Sequence, residues 1–113
     1  MHSRKVFIYQ TQSGHKPFIE WLEKLDRITR IKIRSRISRL EIGNFGDYKS
    51  IGFGVYELRL FFGPGYRVYF GMQDDTIVIL LCGGDKSSQK RDVQKATDYW
   101  REAQNEIIPR IQH

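Results

Sequence analysis

The sequence holds a single cysteine, Cys82, so no internal disulfide can form. Cys82 lies in an apolar run and reads as a small buried hydrophobe. Histidine is also scarce. His2, His15 and His113 are scattered, with no spacing that would build a metal site, and neither a metal nor another cofactor is expected. There are only three prolines and no Pro/Ser-rich linker, low-complexity tract or repeat. Long hydrophobic runs are absent too. The longest late run, Ile77 to Cys82, falls far below the ~18 residues of a membrane span. The opening stretch Val6 to Tyr9 is too short for a signal peptide, so a cytoplasmic chain with no membrane partner is expected. A length of 113 residues suggests one domain, 1–113, with 109–113 as a frayed tail.

What is present is a packed-fold composition, 40% hydrophobic, with a cationic excess. Lys and Arg number 19 against 13 Asp and Glu, a formal charge of +6. That balance suits a polyanionic partner, either nucleic acid or an acidic protein, and is equally compatible with a plain basic surface.

Val6–Tyr9 reads as a strand, and Gln10–His15 as a turn. Pro17 suits a first helical position, and Phe18, Trp21, Leu22 and Leu25 then follow at helical spacing. A second helix is expected from about Ile28 to Ile42 with two apolar stripes. Ile33, Ile37 and Leu40 form one; Ile28, Ile31 and Ile42 form the other. Arg27, Arg30, Lys32, Arg34, Arg36 and Arg39 lie between them. Two stripes can pack on both a helix and a sheet, or one can await a partner protein. Gly43 is placed to cap this helix, within Gly43-Asn44-Phe45-Gly46-Asp47. The period then becomes two. Val55–Phe62, Tyr66–Met72 and Thr76–Cys82 read as an antiparallel meander, joined by Gly63-Pro64-Gly65 and Gln73-Asp74-Asp75. After Gly83-Gly84-Asp85 a last helix starts near Ser87 or Ser88. Its stripe is Val93, Ala96, Trp100, Ala103 and Ile107, and Pro109 ends it. The fold class is α+β: an N-terminal strand, a two-helix hairpin packed on an antiparallel meander, and a C-terminal helix.

A three-residue loop at Gly63-Pro64-Gly65 would pair Phe62 with Tyr66, Arg59 with Tyr69, and Phe61 with Arg67. Alternation then sends Tyr56, Leu58, Leu60, Phe62, Tyr66, Val68, Phe70 and Met72 to the core. Val55, Glu57, Arg59, Phe61, Arg67 and Tyr69 share a half-open face. Arginine forks grip phosphate, rings such as Phe61 and Tyr69 stack bases, and a carboxylate accepts a ribose proton. A solvated face with cross-strand Arg–Tyr packing would carry the same residues. Asp85, Lys86, Lys90 and Arg91 crowd the start of the last helix, where free N–H groups attract phosphate but cations oppose the dipole. Gly84-Asp85-Lys86-Ser87 is not a nucleotide loop, and Gly52-Phe53-Gly54 is not a dinucleotide fingerprint.

The runs Gly43–Arg59, Gly63–Phe70 and Leu80–Gln89 resemble the killer proteins of addiction modules, a HigB-like branch of the RelE/ParE toxins. The likeness spans roughly residues 6–103. It implies a RelE-like fold and a toxin that cleaves mRNA in the ribosomal A site. It also implies a cognate antitoxin, HigA-like with a helix-turn-helix, in a hetero-oligomer. By resemblance Arg67 matches the phosphate-binding catalytic arginine and Arg59 a second arginine. Lys86 falls near a third basic position, and Lys49 near a lysine before a glycine. RelE itself has two lysines on the strand where this chain has Val55 and Glu57, and a tyrosine in the last segment, where this chain offers Asp92 or nothing; in the mRNA-cleaving reading Glu57 is the candidate base. ParE-like relatives poison DNA gyrase instead, and a silent nucleic-acid or protein-binding module is the third reading.

Overall fold

The computed structural model describes the backbone of residues 3–112 and the side chains of residues 3–105. Strand β1 (Lys5–Ile8) leads to helices α1 (Pro17–Glu23) and α2 (Arg27–Glu41). Strands β2 (Tyr48–Gly52), β3 (Val55–Leu60), β4 (Tyr66–Gln73) and β5 (Ile77–Gly84) follow. A 3-10 turn, Lys86–Ser88, then opens α3 (Gln89–Gln112). The sheet has five strands in the order β1-β5-β4-β3-β2, with β1 parallel to β5 and the other pairs antiparallel.

Local chemistry accounts for the boundaries. Pro17 starts α1, where its missing N–H costs no hydrogen bond. Asp26 caps α2, its carboxylate accepting from the Thr29 amide at 3.1 Å. Asp85 caps the 3-10 turn that opens α3 one residue after Ser88, and its amide donates to Ser88 Oγ at 3.3 Å. The helix does not stop at Pro109. Its backbone continues to Gln112. His113 and the side chain of Ile107 lie outside the described residues.

One strand escaped the sequence reading. β2 pairs with β3 through a turn at Phe53–Gly54, between the paired Gly52 and Val55. Both turn residues have positive φ, 60° and 82°, the geometry that matches the twist of a tight hairpin. Gly52-Phe53-Gly54 was the available signal.

The β3–β4 register also needs correction. Leu60 pairs with Tyr66, Arg59 with Arg67, and Glu57 with Tyr69. The loop is therefore 61–65, containing a tight turn in which the Gly65 amide donates to the Phe62 carbonyl at 3.2 Å. A shift of two residues changes partners but not faces, because side chains alternate with period two.

Each sheet face carries a core. Phe18 and Leu22 of α1, with Ile33, Ile37 and Leu40 of α2, cover Leu58, Leu60, Val68, Phe70, Val78 and Leu80. Burying a side chain such as Ile33 or Leu40 contributes roughly 1.5–3 kcal/mol. Against the other face, Ala96, Trp100 and Ala103 of α3 pack on Val55, Tyr69, Ile79, Leu81 and Cys82. Gly71 admits the Trp100 ring, since a Cβ there would lie 2.1 Å from it. This second core overturns the expected half-open face for Val55, Glu57 and Tyr69. The second α2 stripe remains exposed, Ile28, Ile31 and Ile42 at 66%, 53% and 58%.

Candidate functional site

Three adjacent strands set one polar row beside the first turn of α3. Lys49 of β2 stands opposite Glu57 of β3, which stands opposite Tyr69 of β4. Glu57 is wholly buried, and a buried carboxylate demands partners. Its Oε2 accepts from the Tyr69 hydroxyl at 3.2 Å and from Gln89 Nε2 at 2.9 Å. Arg67 Nε lies 3.7 Å from the same oxygen. Oε1 accepts no hydrogen bond and faces Lys49 Nζ at 4.0 Å. Burial, reinforced by the Glu57 charge, raises the Tyr69 hydroxyl pKa and keeps it protonated as a donor. Above this row a cleft of about 330 Å³ is lined by Lys49, Ile51, Glu57, Gln89, Lys90 and Val93.

The next row brings two guanidiniums together, with Arg59 and Arg67 directly opposite. Like charges across strands repel, and carboxylates on either side offset this. Arg59 pairs with Asp47, Nη2 donating to Oδ1 at 3.2 Å and Nε lying 3.1 Å from Oδ2 as an ion-pair contact. Arg67 is held by Glu57 and donates from Nη1 to the Gly65 carbonyl at 2.7 Å. Neither arginine spends its whole fork on the protein, because each keeps N–H groups beyond those contacts. Both are therefore aimed before any ligand arrives.

Lys86 joins this row through the backbone. Its amide reaches the Pro64 carbonyl at 3.4 Å, and a Cβ at Gly65 would lie 3.3 Å from Arg67 Nη1 and 3.6 Å from Lys86 Cβ. Asp85 acts as the helix cap, and hydrogen bonds from Ser87 lower its pKa. Lys90 shares the cleft of Lys49 and Glu57. Arg91 stands apart from it, lining a separate cavity with Trp21, Cys82 and Asp92. Phe61 lies in the β3–β4 loop, 82% exposed.

Tyr69 is a correction. Its ring is buried under α3 and cannot stack on a base as expected, and its hydroxyl serves Glu57 instead. Gln89 and Asp47 were missed. Each is an ordinary polar residue outside the strand alternation, so only tertiary placement reveals its partner. Among the described residues no group of three or more His, Cys, Asp or Glu side chains could hold a metal ion. No helix among them is long and apolar enough to cross a membrane.

Residues 20–101 match the family described as phage derived protein Gp49-like (DUF891). An uncharacterized protein of Haemophilus influenzae strain Rd is 52% identical over 80 residues, which cover 70% of this chain and 81% of that protein. The chain thus belongs to the phage-derived Gp49-like family, a family of RelE/HigB-like toxins.

Proposed function

We propose that this chain is the toxin of a toxin–antitoxin pair and acts as a ribosome-dependent mRNA endoribonuclease. The observation that carries this reading is the facing pair Arg59–Arg67, each preset by its own carboxylate. Preset donors stabilise developing charge without reorganising during reaction. The 2′-oxygen of a ribose attacks the adjacent phosphorus, the P–O5′ bond breaks, and a 2′,3′-cyclic phosphate and a 5′-hydroxyl result. Arg67 and Arg59 hold the equatorial oxygens of the phosphorane. Glu57 Oε1 takes the 2′-hydroxyl proton once Lys49 swings from it to a phosphate. Lys86 protonates the leaving 5′-oxygen. Phe61 offers a ring to a splayed base, while Lys49, Lys90 and Arg91 contact the backbone, Arg91 from the neighbouring cavity.

Toxins of this kind are held by an antitoxin, and a HigA-like helix-turn-helix protein is the partner we propose here. The test is a translating extract programmed with a defined mRNA, run beside a gyrase supercoiling assay. Cleavage within ribosome-bound mRNA, with supercoiling untouched, is the expected result. Inhibited supercoiling with intact mRNA would transfer the chain to the gyrase-poison reading. Inactivity in both, with bound ribosomes, would leave a silent binding module.

A further inference from the structure

Beside Arg59 lies a second, larger recess, which shares only Arg59 and Phe61 with the cleavage reading. It measures about 600 Å³ and runs between α2 and the end of β3, lined chiefly by Ile31, Lys32, Arg36, Arg39, Phe61 and Phe62. Arg36 is its unusual member. Placed by sequence among the basic residues between the two α2 stripes, it is only 8% exposed. Its side chain makes no hydrogen bond or ion pair among the described residues, and Nη1 is buried without a partner. Such a group costs stability, since a buried charge normally demands a counter-ion. The backbone nevertheless makes room for it. A Cβ at Gly46 would lie 2.3 Å from Arg36 Nη2, and Gly46 itself sits at φ +62°. Asp47, the carboxylate in the recess, is already paired with Arg59. Burial first, then the charge of Arg39, lowers the Arg36 pKa, against a weaker pull from Asp47. The recess is therefore short of negative charge.

Its apolar members complement this. Phe61 is 82% exposed, Ile31 is exposed, and Ile28 extends the stripe along α2. Lys32 rests over the Phe62 ring, 4.9 Å from its centroid. A phosphate strand would match the cations but leave the isoleucines wet. A peptide with an acidic residue beside aliphatic ones satisfies both.

We propose that the recess between α2 and the β3–β4 loop docks an acidic, amphipathic segment of a partner protein, with a carboxylate seated on Arg36. This goes beyond the cleavage reading and does not depend on it.

The test uses the full chain and three labelled probes in fluorescence anisotropy. One is a blocked twelve-residue peptide with leucines at helical spacing and glutamates between them. The second replaces every glutamate with glutamine, and the third is a decauridylate. The glutamate peptide should bind at least about tenfold more tightly than the glutamine peptide, as expected for charge-assisted hydrogen bonds. Arg36→Met should remove most of that preference and raise Tm, because it deletes an unpaired buried charge. Arg34→Met, which removes the same charge from an exposed position on the same helix, should keep it. Arg36→Lys should retain a part. Failure of the glutamate peptide to bind, equal losses in the Arg34 and Arg36 variants, or a fall in Tm for Arg36→Met would overturn the proposal. Tighter, Arg36-dependent binding of decauridylate would assign the recess to nucleic acid instead.

Discussion

Replacing Arg67 with alanine separates the catalytic role of this residue from its structural one. The side chain is only 14% exposed and lies 3.7 Å from the fully buried Glu57 carboxylate. Removing it deletes a cation from a buried charge cluster as well as a donor from the open row. Glu57 keeps Tyr69, Gln89 and Lys49, so the loss stays below that of a wholly orphaned ion. Arg67→Ala should therefore lower stability by about 1–3 kcal/mol, the cost of its charge-assisted hydrogen bond to the Gly65 carbonyl together with the lost ion-pair contact to Glu57. In cleavage, loss of one preset donor should slow the rate by about 10²–10³. Pairing the change with Glu57→Gln removes the charge left uncompensated and should restore about 1 kcal/mol of the stability. Cleavage should not recover. Urea unfolding of the single and double variants supplies the stability cycle, and single-turnover cleavage of ribosome-bound mRNA supplies the rate. Arg67→Lys should hold most of the stability yet cleave poorly, since an ammonium lacks the fork. A folded Arg67→Ala protein that cleaves at the parental rate refutes the assignment. Additive stability effects in the double variant would refute the coupling to Glu57.

The cysteine offers a pH test. Burial, and then the Asp92 charge, pushes the Cys82 thiol from 9.0 up to about 12. A raised folded pKa means that its contribution is intact below about pH 9 and is lost as pH climbs toward 12. The urea midpoint should fall across that window, less steeply in Cys82→Ala, and Tyr69, shifted upward as well, should maintain the remaining slope. At pH 8 an aromatic disulfide reagent should modify the native thiol far more slowly than the thiol in urea; equal rates would contradict the burial. Gly71→Ala should destabilise by about 1–3 kcal/mol, because its Cβ would meet Trp100 at 2.1 Å, and an unchanged Tm would show that the ring has room to move. Binding to single-stranded RNA should weaken steeply with salt, with a slope near −0.7 per phosphate contact in log affinity against log salt. A flat profile from low to moderate salt would remove Lys49, Arg59, Arg67, Lys86 and Lys90 from the phosphate contacts together.

Periodicity alone established the helices, most of the meander and the residues facing the first core. Ile33, Ile37 and Leu40 are buried as their spacing demanded. Leu58, Leu60, Val68 and Phe70 face inward although the hairpin register was shifted by two. That tolerance is physical, since a shift of two preserves every face while one of one reverses them all. β2 was missed because Tyr48-Lys49-Ser50 carries no apolar alternation. It is an edge strand held by backbone pairing to β3 and by a positive-φ turn.

The candidate site divides in the same way. Arg59 and Arg67 were placed on a common face by alternation, but their direct opposition depends on the loop length, which the Gly63-Pro64-Gly65 spacing did not reveal. Whether that face was open depended on where α3 returned. Local sequence specifies that a helix forms and which stripe is apolar, but not which surface the stripe covers. In the folded chain Ala96, Trp100 and Ala103 cover the strand face that carries Val55 and Tyr69. Tyr69 thereby becomes a buried donor instead of a stacking ring, and Glu57 becomes the charge around which the site is arranged. Arg36 shows the same limit, since its charge suggests a surface residue although its phase, three residues after Ile33 and four before Leu40, sets it beside the buried stripe, and the close approach of Gly46 is a tertiary contact. Burial of a polar group is set by contacts between segments distant in the chain, so its consequences are decided by the tertiary structure.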